Sequence, residues 1–96
     1  MKIIWSEPAT TDYWQNIDYL IKEWGDKVAI DFIDKVEQVL LLIFSNPGMF
    51  PKTNYQNIRH IPIVPQVTLY YQFSKDTIEL IRFWNNYQNP DNLKLE

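Results

Sequence analysis

The chain has 96 residues, a formal net charge of −3, one histidine and no cysteine. A chain of this length is expected to form one domain that buries roughly 60 to 65% of its unfolded surface. Without cysteine, disulfides, thiolate nucleophiles and cysteine-bearing zinc sites are excluded, and one histidine argues against a histidine-rich metal site, so we expect no cofactor. No segment has the apolar core of a signal peptide or the ~20 apolar residues of a membrane helix, which predicts a cytoplasmic protein with no membrane partner.

Charge is distributed unevenly along the chain. Residues 1–47 carry four lysines and eight acidic residues, a net charge of −4, whereas residues 48–90 carry four basic and two acidic residues, a net charge of +2. The overall negative charge argues against a general nucleic-acid binder. An anionic ligand is expected to approach the second half.

The first predicted elements are a short strand over residues 2–5 and a helix that begins at Ser6. Ser6 can cap the helix, and Pro8 lies in the first turn, where its missing N–H costs nothing. Gly25 is expected to end the helix in a left-handed conformation. Apolar residues recur at spacings of three and four, which predicts one buried stripe: Trp14, Ile17, Leu20, Ile21 and Trp24.

A second helix follows directly, with Asp26 as its expected cap and Asn46 after its end. The short connection predicts an antiparallel helical hairpin. The predicted buried stripe comprises Ala29, Phe32, Ile33, Val36, Val39, Leu40 and Ile43. Ile30 and Leu41 fall off this stripe, so they either contact a partner or pack on a second neighbour.

The second half of the chain predicts a loop over residues 46–57 and three strands. The strands are expected at residues 58–64, 67–73 and 77–84, and the short polar connection between the last two predicts an antiparallel hairpin. The last strand is apolar at both parities, which is typical of a central strand.

The predicted fold is therefore α+β, in the order β-α-α-β-β-β, with a helical hairpin packed on one face of a small, mostly antiparallel sheet. The core is expected at about residues 3–90, with a tail at 91–96. Arg59 and Arg82 lie on the strands. We expect both side chains to belong to a functional surface on the sheet face that the helices leave uncovered. His60 is one residue from Arg59 and so should point to the opposite face, in a structural role.

Short motifs along the chain occur in a recognisable order. They are Ser-Glu-Pro-Ala at 6–9, a proline after the second helix, Ile-Arg at 58–59, Leu-Tyr-Tyr at 69–71, Ile-Arg-Phe-Trp at 81–84 and Asn-Pro at 89–90. In this order the chain resembles the RelE/ParE superfamily of toxins from type II toxin–antitoxin modules, over about residues 3–90. The resemblance implies a small cytoplasmic toxin held inactive by an antitoxin encoded beside it, whose C-terminal segment wraps the toxin. RelE-like members cleave mRNA on the ribosome, and ParE-like members inhibit DNA gyrase.

The resemblance also implies candidate catalytic residues. RelE-like enzymes place basic residues on the second and third strands and an Arg, His or Tyr after the fourth. Arg59 matches the basic position of the second strand, Arg82 matches an arginine common in the family's last strand, and Tyr87 lies near the terminal tyrosine of some nuclease members. These three are the candidate catalytic residues. Thr68 occupies the position where the family has an arginine on the third strand. Residues 85–88, Asn-Asn-Tyr-Gln, occupy the region where many relatives have the sequence His-Gly-Arg-Arg. Cations that would hold a phosphate in the transition state are thus missing.

Further residues are candidates for binding. The candidates for substrate or partner binding are Lys52, Trp84, Asn85, Asn86 and Gln88, and those for antitoxin binding are Arg59, Arg82, Ile30 and Leu41. The alternative for the two arginines is a salt bridge to Asp76 or Glu79. Trp84 either stacks on a ligand or covers the end of the sheet.

Three functions are compatible with these residues. The missing cations favour a toxin that binds a protein target such as DNA gyrase. The three catalytic candidates favour a metal-independent, ribosome-dependent mRNA endonuclease. A third alternative is a degenerate member that binds only its cognate antitoxin. Whether the chain is an enzyme stays open on sequence grounds.

Overall fold

A computed structural model describes residues 1–95 of the chain, so the last residue of the predicted tail, 96, lies outside the described part. The element order confirms the predicted α+β fold. The elements are β1 (Lys2–Trp5), α1 (Glu7–Trp24), α2 (Asp26–Ser45), β2 (Arg59–Val64), β3 (Val67–Phe73), β4 (Thr77–Asn85) and a 3₁₀ turn (Pro90–Asn92). Within residues 1–95, no helix is both long enough and apolar enough to cross a membrane.

The sheet has four strands in the order β1-β4-β3-β2. β2, β3 and β4 pair antiparallel in sequence, whereas β1 pairs parallel to β4, with Lys2 opposite Thr77 and Trp5 opposite Leu80. The predicted hairpin of the last two strands and the central position of β4 are both confirmed. The first and the last strand in sequence, β1 and β4, are therefore neighbours and run in the same direction. The direction of β1 could not be predicted from the sequence.

The helical hairpin turns on a single glycine. Ser6 caps α1 as predicted, because its hydroxyl oxygen accepts a 3.0 Å hydrogen bond from the Ala9 N–H. Gly25 has φ of +98° and its N–H donates to the carbonyls of Leu20 and Ile21. Gly25 also stands at the N-cap of α2, so the expectation that Asp26 is the cap was wrong: Asp26 is the first helical residue.

The core lies between the helices and one face of the sheet. The predicted stripe of α2 is confirmed, since Ala29, Phe32, Val36, Val39 and Ile43 are buried. The stripe of α1 was partly wrong, because Trp14 is 61% exposed and Ile21 and Trp24 are each 46% exposed. Ala9, Asp12 and Asn16 are buried instead, together with Ile17 and Leu20.

Two polar side chains explain why α1 is rotated away from its apolar stripe. β1 pairs with β4 only as far as Leu80, so the next part of that edge of β4 faces α1. The Phe83 N–H donates to Asp12 Oδ2 at 3.1 Å, and the Phe83 carbonyl accepts from Asn16 Nδ2 at 2.9 Å. Buried backbone groups need hydrogen-bond partners. Asp12 and Asn16 supply to this edge of β4 the hydrogen bonds that a neighbouring strand would otherwise supply.

Candidate functional site

The face of the sheet opposite the helices carries a row of three polar or aromatic side chains, and we call it the open face. His60 on β2 lies opposite Tyr70 on β3, and Tyr70 lies opposite Arg82 on β4. The rings of His60 and Tyr70 are stacked, with centroids 6.0 Å apart and planes 17° apart. Directly opposed residues share a face of the sheet, so the row crosses three strands on one side.

An irregularity in β4 shapes this face. Tyr70 pairs with Arg82 and Tyr71 with Leu80, so Ile81 is an extra residue on β4. A bulge of this kind re-aims the side chains beside it. Ile81 is 8% exposed yet lies outside the main core, as do the buried Ile58 and Trp84. The open face therefore has a small apolar base of its own.

A groove of about 350 Å³ crosses the open face, and we call it the open-face groove. Its base includes Ile81, Arg82 and Gln72, and Gln72 Nε2 donates a 2.8 Å hydrogen bond to Glu79 Oε1 beside it. One wall comes from the loop before β2, and the other from Lys94 and Leu95 of the C-terminal tail. The expectation of a wholly uncovered face was therefore wrong in part, because the loop and the tail both reach over the sheet.

Arg82 is held by an acidic partner on α1. Its Nε–H donates to Asp12 Oδ2 at 2.6 Å and an Nη2–H donates to Asp12 Oδ1 at 2.9 Å. The hydrogen bonds to Asp12 raise the pKa of Arg82 above its ordinary value, although burial acts to lower it. The guanidinium also lies 5.8 Å from the ring centre of Trp84. The expected salt-bridge partners were Asp76 and Glu79, and the actual partner is Asp12.

Arg59 points away from the open face, contrary to expectation. It lies opposite Tyr71, whose ring is fully buried on the helix side of the sheet. Arg59 Nη1 donates to the carbonyl of Phe50 at 2.6 Å and to that of Gly48 at 3.2 Å. In this position Arg59 fastens the loop after α2, and His60 takes the place on the open face that was expected for Arg59.

Tyr87 lies at the far end of α1 from Arg82. Its ring is 63% exposed and packs against Trp24, with centroids 6.0 Å apart. Asp12, which holds Arg82, is twelve residues before Trp24 on the same helix, a separation of about 18 Å along the axis. The structure therefore does not bring Arg59, Arg82 and Tyr87 together, and their catalytic roles stay predictions.

The amides at the end of β4 and directly after it mostly close the end of the sheet. Asn85 is buried, and its Oδ1 accepts from the Tyr87 N–H at 2.9 Å. Asn86 Oδ1 accepts from the Thr68 hydroxyl at 3.0 Å, and Asn86 Nδ2 donates to the Pro65 carbonyl at 3.0 Å. Gln88 is exposed, and its partner-binding role stays a prediction, as do those of Asn85 and Asn86.

The remaining candidates lie in separate places. Trp84 is only 6% exposed and lies on the open face opposite Thr68, which fits a roof over the end of the sheet. Lys52 is exposed and forms a backbone bridge to Arg59. Ile30 and Leu41 are 56% and 70% exposed on α2, and Leu41 lines an apolar groove with Ile3.

Two residues of the open face, His60 and Tyr70, were not among the sequence candidates. The sequence did contain a signal for their placement. Ile61 and Ile63 lie two and four residues after Arg59, so all three share one face of β2, and both isoleucines face the core. That parity places Arg59 toward the helices and His60 on the other side. Burial raises the pKa of the Tyr70 hydroxyl, so this phenol stays protonated at neutral pH, where it can donate a hydrogen bond.

Comparison with known proteins connects this fold to one group. No protein-family model matches the sequence, and no curated protein matches it. Among solved structures, the chromosomal ParDE TA system of P. aeruginosa aligns with a TM-score of 0.72 at 14% identity, over 88% of this chain and 95% of the other. The YoeB/ParE toxin of Agrobacterium tumefaciens aligns with a TM-score of 0.63 at 14% identity, over 91% and 100%.

A third similar structure contains a bound partner. The heterotetrameric YoeB-YefM toxin-antitoxin complex of Staphylococcus aureus aligns with a TM-score of 0.62 at 18% identity, over 88% of this chain and 95% of the other. At 14 to 18% identity, these comparisons establish that the chain shares the fold of the three structures. The chain therefore has the fold of the RelE/ParE toxins of type II toxin–antitoxin systems.

Proposed function

We propose that the chain is the toxin component of a type II toxin–antitoxin module and is neutralised by an antitoxin protein encoded beside it. The observation that carries this proposal is the nearly complete match in fold, which spans 88% of this chain and 95% of the ParDE structure. The proposal also agrees with the YoeB-YefM likeness, where a chain of this fold is held in a toxin-antitoxin complex.

We infer that the target is a protein, such as DNA gyrase, on electrostatic grounds. Binding to a nucleic-acid backbone requires unpaired cations that meet the phosphates. Asp12 already neutralises Arg82, Arg59 points to the helix side, and in the open-face groove the carboxylate of Glu79 offsets the charge of Lys94. Apolar and amide groups form much of the remaining surface, which suits contact with a protein better than contact with phosphate.

A ribosome-dependent mRNA endonuclease is the second candidate, and the row of His60, Tyr70 and Arg82 favours it. Cleavage through the 2′-OH of RNA requires a proton acceptor and a cation beside the phosphate. Histidine is the side chain used most often as a general acid or base, and His60 is the histidine of this row. The fork to Asp12 uses only part of the guanidinium of Arg82, so its other N–H groups can donate to a phosphate.

Expression of the chain in bacteria tests the proposal. The chain is induced alone and together with the small reading frame next to its gene, while growth, mRNA integrity and plasmid supercoiling are followed. The leading proposal predicts arrested growth, altered supercoiling and intact mRNA, with growth restored by the second gene. Rapid mRNA loss at normal supercoiling would instead support the endonuclease. Unimpaired growth with abundant folded chain would contradict both toxin activities.

A further inference from the structure

Three aromatic side chains meet where α1 ends and the chain leaves β4, and we call them the aromatic patch: Tyr19, Trp24 and Tyr87. The ring centroids of Trp24 and Tyr87 are 6.0 Å apart and the ring planes 32° apart, and Trp24 Nε1 donates a 3.5 Å hydrogen bond to the Tyr19 hydroxyl. Trp24 is nevertheless 46% exposed and Tyr87 63% exposed. Adjoining large rings that stay open to water mark an interaction site.

The backbone holds both exposed rings in place. Trp24 is the last residue of α1, and the Gly25 N–H after it donates to two carbonyls of the last helical turn. Tyr87 lies in the turn after β4. There Asn85 Oδ1 accepts from the Tyr87 N–H at 2.9 Å, and the Asn85 carbonyl accepts from the Gln88 N–H at 3.1 Å. Because the rings are fixed before a partner arrives, contact with them costs less conformational entropy than contact through a mobile loop.

A small polar pocket adjoins the aromatic patch, and we call it the amide pocket. Tyr19 belongs to both, and Gln88, the residue after Tyr87, lines the pocket. Its volume of about 80 Å³ is far below the ~300 Å³ of a typical small-molecule site, so it suits the end of one side chain. Its charged residues, Asp12 and Arg82, neutralise each other. The amide side chains of the pocket are Gln15, Asn16, Asn85 and Gln88. Amides donate and accept hydrogen bonds, so the pocket suits a neutral polar group better than an ion.

The charges around the aromatic patch narrow the identity of its partner. Glu23 is exposed and lies four residues after Tyr19 on α1, so the two side chains share one face of the helix. Asp26 is also exposed at the start of α2. Lys22 is turned about 100° away from Glu23 around the helix, and residues 85–90 carry no charge. Aromatic faces and carboxylates both attract cations, so a complementary partner presents Lys or Arg here.

We propose that the aromatic patch and the amide pocket form the surface that binds the protein target of the toxin, and that the target presents a Lys or Arg side chain to it. The cation lies against the rings of Trp24 and Tyr87 and pairs with Glu23, while a neutral polar group of the target enters the amide pocket. Trp and Tyr carry much of the binding energy in protein interfaces, within a rim of polar groups. The inference rests on the proposed function with a protein target and names the surface that contacts that target.

Growth inhibition by the full chain, induced alone in bacteria, tests this surface. Trp24→Ala removes the larger ring, and its matched control is Trp14→Ala. Trp14 is 61% exposed on the same helix and lies about 15 Å from Trp24 along the axis. We expect Trp24→Ala to reduce the loss of colony-forming cells by about tenfold or more, and Trp14→Ala to change it by less than about twofold.

Charge reversal tests the acidic rim without removing a ring. Glu23→Lys should also reduce the loss of colony-forming cells by about tenfold, because it places a cation where the target presents one. Asp18→Lys is its matched control, since Asp18 is exposed on the same helix but lies about 140° around it from Glu23. Equal effects of the two reversals would indicate a response to net charge alone and would overturn the pairing with Glu23.

Tyr87 distinguishes a contact through its ring from a chemical role of its hydroxyl. Tyr87→Ala should reduce growth inhibition as Trp24→Ala does. Restoring the ring without the hydroxyl, as Tyr87→Phe, should recover most of the inhibition. An equal loss in both variants would assign the effect to the hydroxyl and would overturn the inference. Circular dichroism and the Tm of the purified variants confirm that the fold is retained.

Other results separate this inference from the proposed function. If the wild-type chain arrests growth and Trp24→Ala, Tyr87→Ala and Glu23→Lys arrest it equally well, the target binds elsewhere and only the surface inference is overturned. A wild-type dimer in sedimentation that Trp24→Ala dissociates, with growth inhibition unchanged, would assign the patch to a second copy of the chain instead. If the wild-type chain does not slow growth, the toxin proposal fails and this inference fails with it.

Discussion

Arg82 and Asp12 lie 70 residues apart in the chain and form a two-point hydrogen-bonded pair between β4 and α1. The side chains are 20% and 10% exposed, so the pair is largely shielded from water. Asp12 also accepts a hydrogen bond from the Phe83 N–H, so one carboxylate binds both the Arg82 guanidinium and a backbone N–H group. This pair fixes the rotation of α1 and, through it, the position of Arg82 on the open face.

Replacing Asp12 tests that role. Asp12→Ala leaves the Arg82 guanidinium and the Phe83 N–H without their partner, and the loss of one member of a buried pair costs about 3 kcal/mol in the free energy of unfolding. We expect a loss of this size in urea denaturation. Asp18→Ala is the control, because Asp18 is exposed on the same helix and its replacement should change the free energy of unfolding by less than about 0.5 kcal/mol. Equal effects of the two substitutions would contradict the structural role of the pair.

The helical hairpin depends on the backbone of Gly25. Its φ of +98° and ψ of 167° are accessible almost only to glycine, while an added Cβ would meet no atom within 4 Å. Gly25→Ala should therefore destabilise the fold through backbone strain alone, by about 1 to 3 kcal/mol. Gly48→Ala is a suitable control, because its Cβ would make only an ordinary 3.7 Å contact with Phe73. Thermal unfolding should show a clear decrease in Tm for the first variant, and a similar decrease for both would argue against strain at Gly25.

Buried phenols predict a loss of stability in alkali. Burial raises the pKa of the hydroxyl of Tyr13, Tyr70 and Tyr71 above the ordinary value of 10.0. Because the unfolded chain then loses these protons at lower pH than the folded chain, their contribution is complete below about pH 10 and is lost as the pH rises through the folded pKa values. Urea unfolding between pH 8 and pH 11 should show this decrease.

Tyr71→Phe removes one of these groups and should reduce the steepness of the decrease. The same variant should lower stability at pH 8, because the Tyr71 hydroxyl donates a 2.7 Å hydrogen bond to the Pro47 carbonyl. A stability profile that stays level to pH 11, or an unchanged slope in Tyr71→Phe, would contradict this explanation.

His60 separates the two candidate activities. His60→Gln keeps the ability to form hydrogen bonds but removes the imidazole, which is the candidate general base of the endonuclease. The endonuclease candidate predicts a loss of mRNA cleavage of about a hundredfold or more, within the usual range for a general acid or base. A protein-binding toxin should keep most of its growth inhibition in this variant. Circular dichroism of the purified chain confirms that the fold is retained.

Local sequence signals predicted a large part of the fold. The cap at Ser6, the glycine at 25, the apolar stripe of α2 and the last hairpin all depend on residues close in sequence, and these features agree with the structure. The inward face of α1 could not be obtained in the same way. It is set by the edge of β4 near Phe83, which is distant in sequence and whose pairing with Asp12 and Asn16 no local pattern indicates.

The site was predicted less well for a related reason. Arg59 and His60 were correctly assigned to opposite faces, but the choice of face depends on which side of β2 meets the helices. The alternation of Ile61 and Ile63 carried that information. The location of residues after β4, such as Tyr87, depends on the path of a turn. The extra residue Ile81 also breaks the alternation of side chains along β4, so the face of a later residue cannot be obtained by counting along the strand.

The parallel pairing of β1 with β4 has a consequence for biosynthesis. β1 is made before its partner at residues 77–80, so the sheet cannot be completed until those later residues have left the ribosome. The helical hairpin is local in sequence and can form earlier, whereas contacts between distant segments form slowly. A nascent or truncated chain would therefore display the helices without the open face. Any activity that resides on the sheet would begin only after β4 has been made and has paired with β1.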